Sequence, residues 1–122
     1  MKRILLVLPF LLLFLAVESP AQAAAGKVFW RGMVDDKVHL VIRGDQLEQR
    51  NVSGQPHPDG SFSFTAALPA EAVTVSIPRI EGRSKKVSVV QQPTAENDFT
   101  AIVEIHDEGG GSRDYFLEIA WQ

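Results

Sequence analysis

From Val28 to the end of the chain, apolar and polar side chains alternate with a period of two. Val28, Trp30 and Val34 alternate with Phe29, Arg31 and Met33, and Val38, Leu40 and Ile42 with His39, Val41 and Arg43. Further along, Phe62, Phe64 and Ala66, then Val73, Val75 and Ile77, then Val87 and Val89 repeat the pattern. The chain closes on Phe99, Ala101, Val103 and Ile105, followed by Tyr115, Leu117, Ile119 and Trp121. Such spacing puts one side of each segment in a core and the other in solvent, which is the signature of half-buried strands. No run of ten or more residues shows helical spacing; Pro69 to Ala72 could form one short turn at most.

Turn residues punctuate these runs at Asp35-Asp36, Gly44-Asp45, Pro58-Asp59-Gly60, Glu81-Gly82, Glu96-Asn97 and Gly109-Gly110-Gly111. Gly44-Asp45, with glycine leading, fits a two-residue type II′ hairpin. Seven or eight short strands follow from this punctuation. Their fold class is all-β: a small antiparallel β-sandwich, immunoglobulin-like in the broad sense, with a small barrel as the alternative. Phe64, Val75, Leu40, Val103 and Trp30 are the expected core.

The first residues differ from the rest. Lys2 and Arg3 precede an apolar stretch from Ile4 to Val17, and Ala21-Gln22-Ala23 supplies small residues for cleavage. This order is that of an export signal. The apolar stretch falls short of the about 20 residues of a permanent span. The expected organisation is therefore a signal-peptide helix over 1–23 and one β-domain over 24–122, with cleavage after Ala23 or Ala25. Cleavage leaves the protein periplasmic or secreted, with no permanent membrane span. Removing Lys2, Arg3 and Glu18 leaves 10 basic and 14 acidic side chains, a balance that argues against a nucleic-acid partner. The chain has no cysteine, so neither disulfides nor thiol chemistry is open to it.

Candidate chemistry is sparse. His39, His57 and His106 are 18 and 49 residues apart, unlike the close pairs of a zinc site. Acidic residues gather at Asp35-Asp36, Asp45, Glu96 to Asp98 and Asp107-Glu108, but the calcium-loop spacing is missing, leaving turn chemistry or weak calcium binding. No G-x-S-x-G elbow occurs. The expectation is a protein that is not an enzyme and needs no cofactor. Arg79, Arg83, Lys85 and Lys86 cluster near an expected hairpin tip, as a candidate anion-binding group or a solvated sheet end.

The last two runs are expected to pair as a hairpin with Val103 opposite Leu117, Ile105 opposite Tyr115 and Phe99 opposite Trp121. A slip of one residue would set Ala101 against Glu118. This register puts His106 opposite Asp114, and Ile102 diagonal to Phe116 on the outward face. Two large apolar side chains there call for cover from the same chain, or else they centre a partner-binding patch.

Pro58-Asp59-Gly60-Ser61-Phe62-Ser63-Phe64 resembles the turn-strand of carboxypeptidase-regulatory, transthyretin-like sandwiches. The stretches Val89 to Pro93, Glu96 to Ala101, and Gly110-Gly111 with Tyr115, Glu118 and Trp121 are similar to a group of uncharacterised exported bacterial proteins. That resemblance implies an exported bacterial β-domain and assigns no functional residue. The leading expectation is a non-enzymatic domain for protein interaction or envelope structure, whose partner is another envelope or secreted protein. A glycan- or anion-binding module and a small hydrolase are the rivals.

Overall fold

The computed structural model describes residues 25–52, 60–84, 86–109 and 111–122. The expected signal peptide over 1–23, His57 and Lys85 lie outside them. The strands are β1 (Gly26–Val34), β2 (Asp36–Arg43), β3 (Gln46–Asn51), β4 (Ser61–Phe64), β5 (Val75–Glu81), β6 (Val87–Gln91), β7 (Ala101–Asp107) and β8 (Arg113–Trp121). They make two four-stranded antiparallel sheets, ordered β4-β1-β8-β5 and β3-β2-β7-β6. The molecule is thus the all-β sandwich that the alternation implies.

The inner faces share one core. Trp30, Leu40, Val103 and Leu117 have no exposed surface, and Val75 is buried beside them. Phe64 departs from expectation. It sits on the four-residue edge strand β4 and is only partly buried, packed against the core with its ring 6.3 Å from that of Trp121. β3 shows no alternation because Leu47 is its only apolar residue. The hairpin that leads into it was nonetheless legible: Arg43 pairs with Gln46, and Gly44 has φ of 59°. Pro69 to Ala72 forms no helical turn; a 3₁₀ turn occurs instead at Ala95–Asn97.

The centre of the sandwich is a bent ribbon. β1 runs beside β8 from Gly26 opposite Trp121 to Val34 opposite Arg113. β2 continues beside β7 from Asp36 opposite Asp107 to Ile42 opposite Ala101. At the bend, Asp35 alone spans one side and residues 108–112 span the other. Asp36, with φ of 76°, makes the turn on the short side.

This ribbon overturns the expected terminal hairpin. β7 and β8 belong to different sheets. Val103 faces Leu40 and Val89, while Leu117 faces Trp30 and Ile80. Burial requires that an apolar strand face have apolar neighbours, and β1 and β2 satisfy β8 and β7 as well as those two would satisfy each other. Phe99 leaves the strand altogether: Asp98 and Phe99 have φ of 59° and 52°, and the chain turns there into β7.

At the bend a polar cluster joins three segments. Asp107 continues the inward series of β7 and is 2% exposed. The Tyr115 hydroxyl donates to its Oδ2 at 2.6 Å, and Arg83 Nη2 and the Gly109 N–H donate to Oδ1 at 2.5 and 2.9 Å. The Ser84 N–H donates to the Tyr115 oxygen at 2.9 Å. Gly82 lies flat on the Tyr115 ring, where a Cβ would stand 2.3 Å from a ring carbon. Burial pushes the Asp107 carboxyl up, but Arg83, Tyr115 and the Gly109 N–H outweigh it and hold its pKa at about 2.

Candidate functional site

Outward positions of the two sheets differ. On the second sheet (β3-β2-β7-β6) they hold mostly charged and polar groups in cross-strand contact, beside the apolar pair Val41–Ile102 and the exposed Val90. His39 pairs with Glu104 at 2.9 Å, and its hydrogen bond holds the Glu104 carboxyl below the usual range. His106 lies 3.5 Å from Asp36 and 3.7 Å from Glu108, not against Asp114. Arg43 reaches Asp98 at 2.6 Å. Among the described residues no group of three or more His, Asp or Glu side chains could hold a metal ion.

On the first sheet (β4-β1-β8-β5) the outward positions have an aromatic centre. Phe29 and Phe116 stand diagonally across β1 and β8, since Phe29 is opposite Glu118 and Arg31 is opposite Phe116. Their rings stack with centroids 6.1 Å apart and planes inclined by 20°. The Arg79 guanidinium lies 5.4 Å from the Phe116 centroid, within the range of a cation–π contact. Ion pairs surround this centre: Lys27 with Glu118 at 2.9 Å, Arg31 with Asp114 at 2.8 Å, and Arg79 with Glu81. Met33 is exposed on the same face of β1.

Two depressions flank Phe29, which lines both. One, of about 290 Å³, lies against β4 and is lined by Arg31, Ser61, Phe62 and Phe116 among others. The second, of about 390 Å³, lies at the end of the sandwich where Lys27, Thr65 and Trp121 meet. A third depression, of about 410 Å³, on the second sheet is lined by Val41, Arg43, Glu48 and Arg50. Neither His39 nor His106 lines any of the three.

The expected Ile102–Phe116 patch does not form. The two residues are outward on opposite sheets; Ile102 faces Val41 and Gln91. Phe116 has the outward apolar neighbour expected of it, but that neighbour is Phe29. The parity of Phe29 marked it as outward; the pairing of β1 with β8 was not readable from the alternation. The basic cluster also divides. Arg79 lies on the aromatic face, Arg83 is held by Asp107, and Lys86 reaches Glu108 at 2.7 Å. Lys85 lies outside the described residues. The three described cations thus face three separate carboxylates, and no common anion pocket gathers them.

Among the described residues no helix is long and apolar enough to cross a membrane. Comparison with family models, curated proteins and solved structures returns no match to this chain.

Proposed function

We propose that this chain is an exported, non-enzymatic β-sandwich that binds another envelope or secreted protein through the outer face of its first sheet. The Phe29–Phe116 stack supports this reading: it is an apolar centre on a face normally left to polar residues, within a rim of charge. The rim pairs are internally neutralised and, apart from Glu118, exposed, so they favour orientation over affinity. The order of residues 1–23 supports export. A sugar-stacking role is less well supported, because Arg79 already lies over the Phe116 ring.

The test compares the wild-type protein with Phe116→Ser and with the Phe29→Ser/Phe116→Ser pair. The bait protein is immobilised in extracts of its native envelope, and thermal melting is followed in parallel. We expect one stoichiometric partner, lost at least about tenfold in the variants, with a melting temperature unchanged within about 3 °C. Capture that survives both substitutions would overturn the reading.

A further inference from the structure

The core holds two indoles, and they are treated differently. Trp30 donates its Nε1–H to Gln49 Oε1 at 3.1 Å. Trp121 is 3% exposed, and its buried Nε1 has no hydrogen-bond partner among the described residues. A buried donor without an acceptor costs free energy that an apolar ring of the same shape would not. Such a group marks a place where a partner atom is missing.

Trp121 lines the 390 Å³ depression at the end of the sandwich, together with Gly26, Lys27, Phe29 and Thr65. Gly26 lies directly over the indole nitrogen: a Cβ there would stand 2.8 Å from Nε1 and 3.0 Å from the Ala66 Cβ. Only a residue without a side chain fits between the donor and the depression. Gly26 is also lightly held. It begins β1 and pairs with Trp121, while the pairing of β1 with β4 starts two residues later at Val28. Thr65 brackets Lys27 with hydrogen bonds to its N–H and carbonyl, each at 2.9 Å, and these do not reach Gly26. A small displacement of Ala25 and Gly26 would open the N–H to the depression.

We propose that this depression receives an apolar side chain from a polypeptide segment whose main-chain carbonyl accepts the Trp121 indole N–H. The inference rests on the reading of the first sheet's outer face as a protein-binding surface, and Phe29 lines both that surface and this depression. The chemistry follows from the walls. The donor calls for an uncharged acceptor. The Lys27 ammonium is engaged by Glu118, which disfavours an anion. Phe29, Ala120 and the Trp121 ring give an apolar lining. An amide carbonyl beside an aliphatic side chain meets all three conditions.

The probe is N-acetyl-leucinamide, titrated into ¹⁵N-labelled protein while both indole N–H signals are followed. The Trp121 signal moves downfield and saturates with a Kd on the order of 1 mM, typical of a ligand this small. The Trp30 signal, already hydrogen-bonded, stays in place. Phe29→Ser weakens binding about tenfold without unfolding the domain, because its ring walls the depression from the outer face. Four results would overturn the inference: no movement of Trp121 up to about 20 mM probe; the same downfield movement with toluene, which has no acceptor; a signal that depends on protein concentration alone, which would make a second copy the occupant; or a downfield Trp121 signal in the free protein. Any of these, with partner capture still lost in the Phe116→Ser variant, would leave the outer-face reading intact. Capture insensitive to Phe116→Ser, with the Trp121 signal responding as described, would instead fail that reading alone.

Discussion

The two ends of β8 both bury an aromatic residue that carries a polar atom, and they treat that atom in opposite ways. At one end the Tyr115 hydroxyl donates to Asp107 and accepts from the Ser84 N–H. At the other, the Trp121 N–H has no acceptor among the described residues. The first end ties the bend of the ribbon to the β5–β6 loop; the second lies where β1 begins and a depression opens. A strand continuous through both ends therefore joins a locked corner to an under-satisfied one. Satisfaction of every buried polar group marks the part of a fold that fixes its shape. Its absence at the Trp121 end agrees with a role in receiving something from outside.

This contrast can be broken at the locked end first. Asp107→Ala takes the acceptor from the Tyr115 hydroxyl and the Gly109 N–H and removes the carboxylate that the Arg83 guanidinium meets here. We expect a loss of about 3 kcal/mol, near the low end for a broken buried pair, because Arg83 can reach water. In a domain of this size that lowers the melting temperature by roughly 10–20 °C. A loss under about 0.5 kcal/mol would show that the cluster is not a lock.

Acid should act on the same carboxylate. Its folded pKa of about 2 lies below the ordinary 3.8. The unfolded chain therefore takes up the proton at a higher pH than the folded one, and acidification favours unfolding. The stabilisation is fully present above about pH 5 and disappears as the pH falls through the folded value of about 2. It amounts to roughly 2 kcal/mol. Urea titrations between pH 5 and 2 should show this slope in the wild type and its reduction in Asp107→Asn. Equal slopes in the two proteins would contradict the assignment.

The open end should respond less. Phe64 packs beside Trp121 on the edge strand and is only partly buried. Phe64→Ala should cost about 1–2 kcal/mol, below the about 3–5 kcal/mol of a fully enclosed phenylalanine. Chemical denaturation measures it directly. A loss as large as that of Asp107→Ala would mean that the two ends are equally well knit.

The difference between the ends was half legible in the sequence. Alternation identified the inward residues, and Trp30, Leu40, Val103 and Leu117 are all fully buried. The same parity extends to residue 107, so the inward path of β7 already pointed at a buried carboxylate. Its proximity to turn residues made it read as a loop acid. Strand pairing was not legible, because β1, β2, β7 and β8 all present apolar inner faces and burial alone does not choose among them. What chooses is the bend, where one residue on one side matches five on the other. Gly109 and Gly111, read as the tip of a hairpin, lie instead in a crossing between sheets. The site shows the same gap: the alternation makes Phe116 outward and apolar, but its neighbour Phe29 depends on the pairing of β1 with β8, which the pattern does not supply.

Native-state amide hydrogen exchange along β8 and its neighbours tests the contrast between the two ends without altering a residue. Tyr115, Leu117 and the Gly109 amide should exchange only through global unfolding. Lys27, Trp121 and Gln122 should exchange through local opening, at least about tenfold faster than the locked end after correction for intrinsic rates. Uniform protection along β8, or faster exchange at the Tyr115 end, would contradict the account.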